Sequence, residues 1–101
     1  MIDDYRVITL CGSVKFKEDF LKLQKSLTLD GYIVLSVGFF ELDKNECLTD
    51  KQFKTIKEIH LRKIDLADEV LIINRGGYIG ESTRQEIEYA TQKGKTIKYL
   101  E

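Results

Sequence analysis

Apolar residues along this chain fall alternately into short β-branched runs and helically spaced stripes, in a strand-then-helix order that repeats to the end. Arg6 to Leu10 reads as a first strand, ended by Cys11-Gly12-Ser13. Phe16, Phe20, Leu23 and Leu27 then recur at i, i+4, i+7 and i+11, which makes one apolar helix stripe. Lys15, Lys17, Glu18, Lys22 and Lys25 fall off that stripe, and Asp30-Gly31 supplies the helix stop. Tyr32 to Val37 is the second strand, and Gly38 to Glu46 a long loop. Thr49 to Gln52 forms a capping box that opens a second helix running to about Leu66. Asp68 to Asn74 is the third strand; its Val70-Leu71-Ile72-Ile73 is apolar on both faces, as a central parallel strand requires. After a glycine-rich loop from Arg75 to Gly80, Ser82 and Gln85 repeat the capping-box pattern and open a third helix. Its core stripe is expected to hold Thr83, Ile87, Ala90 and Thr91, and Lys93-Gly94 closes it. Thr96 to Leu100 is a fourth strand, half exposed at an edge.

Strands and helices in strict alternation imply an α/β fold of the Rossmann or flavodoxin type. The expectation is an open parallel four-stranded sheet in the order 2-1-3-4, with helices on both faces. Residues 1–101 then make a single domain. In such sheets ligands sit outside the carboxyl ends of the strands, where the strand order reverses. The loops meeting there are Cys11-Gly12-Ser13 and Arg75 to Ser82, the two most glycine-rich of the chain.

Charge narrows the ligand. The chain has 16 Lys plus Arg against 17 Asp plus Glu, a formal charge of -1. A nucleic-acid polymer or a membrane surface would call for a basic excess, so neither is an expected partner. No apolar run approaches the ~20 residues of a membrane span. Met1 to Asp4 is acidic and lacks the basic start of a signal peptide. Cys11 and Cys47 are too few for a disulfide framework, which points to reduced thiols and a cytoplasmic location. Asp and Glu show no clustered ligand spacing, so neither a metal nor a cofactor is expected.

Candidate chemistry lies in the two loops and the helices beside them. Gly12 and Ser13 would offer amides and a hydroxyl to a phosphate, with Lys15 adding charge; the plainer reading is a tight turn with Ser13 as helix cap. Gly80 and Ser82 occupy the matching place on the other loop. The glycine spacing fits neither a P-loop nor the dinucleotide fingerprint. Glu86 falls on the inward side of the third helix, one turn from its start, as a candidate for covalent or acid–base work, or merely as a favourable charge near the helix dipole. His60 shares a face with Ile56 and Ile64, so it is buried or nearly so, and its distance from the site is open. Phe39 and Phe40 would cover a base or cap the core. A phosphatase-like thiolate at Cys11 would want an arginine where Lys17 stands, and lysine lacks the planar fork.

Cys11-Gly12-Ser13, Ala67-Asp68 at the third strand, and Glu86-Ile87-Glu88-Tyr89-Ala90 together resemble the nucleoside 2-deoxyribosyltransferase-like superfamily. Within it they are most similar to the 2'-deoxynucleoside 5'-phosphate N-hydrolases. The resemblance implies that Glu86 is the nucleophile at the anomeric carbon. It implies that Gly12 and Ser13 lie along the sugar-phosphate, that Ser82 helps bind phosphate, and that the protein is a homodimer. His60 stands where the family has a catalytic aspartate, Thr9 where the hydrolases carry an aromatic hydroxyl, and Ile87-Glu88 in place of Leu-Gly. There is no sequence for the family's fifth strand. The expected function is hydrolysis or deoxyribosyl transfer at the N-glycosidic bond of a nucleoside or nucleotide, with His60 donating a proton to the leaving base. A non-catalytic nucleotide sensor using the same pocket is the alternative, and a protein-binding module whose glycine loops are only turns is a third.

Overall fold

Two strands carry the centre of this molecule. In the computed structural model, which describes residues 3–101, β1 (Val7–Gly12) and β3 (Glu69–Ile73) pair in parallel, from Ile8 against Glu69 to Gly12 against Ile73. β2 (Ile33–Leu35) flanks β1 and β4 (Thr96–Tyr99) flanks β3, so the sheet is parallel throughout in the order β2-β1-β3-β4. This is the architecture the alternating pattern predicts. The central strands are buried on both faces, which is why they read as near-continuous apolar runs.

Three helices cover the sheet. α1 (Lys17–Leu29) packs Phe20, Leu23 and Leu27 against Leu10, Val34, Leu71 and Ile73 on one face. α2 (Asp50–Leu66) and α3 (Glu81–Gln92) pack Ile64, Leu61, Ile87 and Ala90 against Val7, Cys11, Val70 and Ile72 on the other. Alternate residues of β1 therefore serve opposite layers: Leu10 faces α1, while Cys11 faces α2 and α3. Phe20 is fully buried, a side chain whose removal from water stabilises by ~1.5–3 kcal/mol.

Several boundaries differ from those the sequence pattern predicts. β2 covers Ile33–Leu35 rather than Tyr32 to Val37, because an edge strand has one partner and the Ser36 carbonyl instead accepts from Lys63 Nζ at 2.6 Å. A 3-10 turn (Val14–Phe16) precedes α1, since the Ser13 hydroxyl accepts from the Lys15 amide and tightens the entry. α2 begins with the expected capping box between Thr49 and Gln52. Ser82 and Gln85 make no such box. The chain enters α3 extended at Gly80, which is the N-cap, so Ser82 is already the second helical residue. Thr91 is exposed and turns its hydroxyl back to the Ile87 carbonyl, leaving the core stripe of α3 to Thr83, Ile87 and Ala90. Ile56 is also exposed, unlike Ile64.

Among the described residues no helix is long and apolar enough to cross a membrane. Met1 and Ile2, part of the acidic start weighed above as a leader, lie outside the described residues.

Candidate functional site

The carboxyl half of β1 delivers Cys11 to the layer of α2 and α3, and there three side chains converge. His60 projects from the middle of α2, with Nε2 3.3 Å from Cys11 Sγ. Glu86, on the second turn of α3, brings Oε1 to 3.7 Å from the same nitrogen. Strand, helix and helix each supply one group, and ligand atoms of the three lie within 4.8 Å of one another. The distance left open for His60 by its mid-helix place is thereby closed. Its neighbour at i+4 explains why: Ile64 anchors the C-terminal half of the helix in the core, and this aims the ring one turn earlier at β1.

Burial sets the charge of this cluster. The Glu86 side chain retains 19% of its exposure and His60 10%. Desolvation raises the Glu86 carboxyl to about 7, against smaller opposing effects of the Cys11 thiol and the Lys57 ammonium. Desolvation lowers His60 to about 4, helped by the nearby Lys63 charge. Burial, and then the Glu86 carboxylate, push the Cys11 thiol well above its ordinary value. At pH 7 the histidine is therefore neutral, the carboxyl is close to half ionised, and the thiol keeps its proton. At 3.7 Å, and with the histidine neutral at that pH, the His60–Glu86 contact is a polar approach rather than an ion pair. A fully buried, protonated Cys11 is also no free nucleophile, which disposes of the phosphatase-like reading on physical grounds.

Two clefts open from the cluster, on either side of α2. A smaller one of about 200 Å³ runs between α2 and α3 and is lined by Glu86, Ser82, Gln85 and Tyr89. A larger groove of about 420 Å³ lies between α2 and the loop after β2, with His60 at its floor and Phe39, Phe40, Phe53 and Ile59 on its walls. Lys57 borders both. The larger groove is mainly apolar and within the size range of small-ligand sites. The two phenylalanines after β2 divide their labour. Phe40 packs edge-on against Phe20 in the core, whereas Phe39 stays half exposed over the groove.

The remaining sequence candidates occupy other positions. A Cβ on Gly12 would lie 2.9 Å from the Ile73 carbonyl oxygen, so glycine there permits the close approach of β1 to β3. Ser13 caps its 3-10 turn, and Lys15 Nζ sits 3.3 Å from the centre of the Tyr78 ring. Neither Gly12, Ser13 nor Lys15 borders either cleft. Gly80 serves as the N-cap of α3 without a side-chain cap bond, and Ser82 shares the smaller cleft with Glu86. Arg75, in the glycine-rich loop, is held by Asp19 at 2.6 Å and by Glu101. Thr9 and Asp68 are structural: the Thr9 hydroxyl donates to the Lys63 carbonyl, and Asp68 Oδ2 accepts from the Val7 amide.

Reading along the chain misses Phe53 and Lys57 as wall residues and Cys11 as a partner of His60. The first two have a signal, because they stand seven and three residues before His60 and so share its side of α2. The Cys11–His60–Glu86 set has none, because its members come from three separate elements. No family model matches this chain, and no curated protein matches it.

Proposed function

We propose that this protein binds a nucleoside or nucleoside 5'-monophosphate beside α2 and cleaves its N-glycosidic bond, passing the deoxyribosyl group to water or to a second base. The observation that carries the reading is the Glu86 carboxyl, mostly buried against His60 and facing the cleft between α2 and α3. A desolvated carboxylate there suits attack on, or electrostatic stabilisation of, an anomeric carbon with oxocarbenium character. The ionised fraction of Glu86 attacks as the carbon–nitrogen bond breaks; the departing base takes up a proton, and the glycosyl ester then passes to the acceptor. His60 is neutral at pH 7, so it acts by taking a proton at one ring nitrogen while releasing one from the other, not as a charged acid. Leu61 and Tyr89, in the same cleft as Glu86, offer apolar surface to a base. Ser82 and the uncapped first-turn amides of α3 would receive the phosphate. The likeness of Glu86 to Ala90 to the deoxyribosyltransferase-like motif points the same way. We extend the proposal to a homodimer, supported by the exposed Phe53, Ile56 and Ile59 on one side of α2.

The test is release of free base, followed by chromatography, from a panel of deoxynucleoside monophosphates, deoxynucleosides and their ribo counterparts. Wild type should release base, Glu86→Gln should not, and the rate should rise with pH through about 7 as Glu86 ionises. Equal rates in wild type and Glu86→Gln would refute it. The alternative, a nucleotide sensor, draws on the near-half protonation of Glu86 and the neutral His60. It predicts no turnover but stabilisation by ~2.7 kcal/mol at a hundredfold excess over Kd.

A further inference from the structure

We propose that Cys11, His60 and Glu86 form a three-ligand site for a zinc ion, with its fourth position open to solvent or ligand. The argument starts from donor chemistry. Thiolate, imidazole and carboxylate are the three protein ligand types that zinc accepts, and one of each converges here from β1, α2 and α3. The spacing then fits a tetrahedral ion. Zinc–sulfur and zinc–nitrogen bonds of about 2.3 and 2.05 Å place those two donors about 3.6 Å apart, and a nitrogen–oxygen pair about 3.4 Å apart. The structure holds Cys11 Sγ and His60 Nε2 at 3.3 Å, and His60 Nε2 and Glu86 Oε1 at 3.7 Å. These two pairs are within a few tenths of an ångström of the coordinated geometry, and the third, Cys11 Sγ with a Glu86 carboxylate oxygen, lies within 4.8 Å. The mixture of one soft and two harder donors favours zinc over calcium or magnesium, which take oxygen ligands. An entry path exists, since Glu86 and His60 each border a cleft.

Three protein ligands leave one coordination position, the pattern of sites where zinc holds water or a substrate atom. Binding removes the proton from the Cys11 thiol, and from Glu86 where protonated, and delivers it to solvent. The metal also occupies the carboxylate that the glycosidic mechanism needs. Zinc loading and attack by Glu86 are therefore mutually exclusive uses of one side chain, and zinc would hold the glycosidase in an inactive form. The site itself does not rest on the glycosidase reading, since binding is observable without any substrate.

Chelator-treated full-length protein is titrated with cobalt(II), whose thiolate charge-transfer and tetrahedral visible bands report the ligands, and then with zinc, which should displace it. The expected result is one metal per chain, a thiolate band that survives Cys47→Ser and disappears in Cys11→Ser, and affinity at least ~10-fold weaker in Glu86→Gln and in His60→Gln. Cys11 lies in the core, so circular dichroism accompanies each variant; the Glu86 and His60 variants decide the matter if Cys11→Ser does not fold. Absence of binding, a band that follows Cys47, or affinity unchanged by both Glu86→Gln and His60→Gln would overturn the site. Base release in chelator, measured separately, tells the two proposals apart. Binding without base release leaves the zinc site standing and removes the glycosidase, and the converse removes the zinc site alone.

Discussion

In metal-free buffer, Glu86→Gln should make the protein progressively more stable than wild type as pH rises. The carboxyl ionises at about 7 in the folded protein against an ordinary 4.5. A folded-state value raised in this way favours the protonated form. Below pH 4.5 both folded and unfolded chains are protonated, and the ionisation costs nothing. Between 4.5 and 7 the unfolded chain gives up its proton first, and stability falls; above 7 the loss is complete. A displacement of about 2.5 pH units at ~1.36 kcal/mol each amounts to about 3 kcal/mol. Because only about a fifth of the side chain is exposed, solvent screening takes little of this away. At pH 5 the cost is about 1 kcal/mol, so the stability difference between variant and wild type should grow by roughly 2.5 kcal/mol from pH 5 to pH 8. Any constant effect of the glutamine amide cancels in that comparison. Urea denaturation at both pH values reads the change directly, and in a domain of this size it corresponds to a relative Tm shift of roughly 10–20 °C. A difference that stays flat between pH 5 and pH 8 would refute the premise that the Glu86 carboxyl is desolvated in the folded state.

His60 predicts the opposite slope. Its folded value is depressed to about 4 from 6.5, so its contribution is whole above pH 6.5 and is lost as pH falls towards 4. Relative to His60→Gln, wild type should lose about 2 kcal/mol from pH 7 to pH 5 by the same urea measurement. At the sheet, Gly12→Ala would drive a Cβ to 2.9 Å from the Ile73 carbonyl oxygen and 3.0 Å from its Cβ. It should lower the urea midpoint by an amount equivalent to ~1–3 kcal/mol, and a loss below half a kcal/mol would show that β1 and β3 can move apart freely.

The strand order and the helix layers were legible in sequence because they rest on periodicity and on punctuation. Val70 to Ile73 could belong only to a doubly covered strand, and the Thr49–Gln52 box marks the start of α2 to the residue. The failures have a common cause, which is that local signals are blind to what the neighbouring segment does. Ser82 and Gln85 have the spacing of a capping box, yet the extended Gly80 starts the helix two residues earlier. Tyr32 to Val37 has strand composition, yet the carbonyl of Ser36 belongs to Lys63. For the site, Glu86 could be found from its place on the inward side of α3 and His60 from its apolar neighbours. Their meeting with Cys11 could not, because no spacing along the chain encodes a contact between residues 11, 60 and 86. Gly12, Ser13 and Lys15 read along the chain as a phosphate loop. Gly12 packs closely against Ile73, Ser13 caps a 3-10 turn and Lys15 lies over the Tyr78 ring, and none of the three borders either cleft.

The two cysteines differ in a way that makes the chain its own reporter of opening. Cys11 is wholly enclosed between β1 and the helices, while Cys47 stands exposed in the loop before α2. A thiol-modifying reagent meets Cys47 at once and can reach Cys11 only when α2 or α3 lifts from the sheet. Within a single molecule, the first modification thus marks time zero and the second counts the moments when the layer over the sheet comes apart.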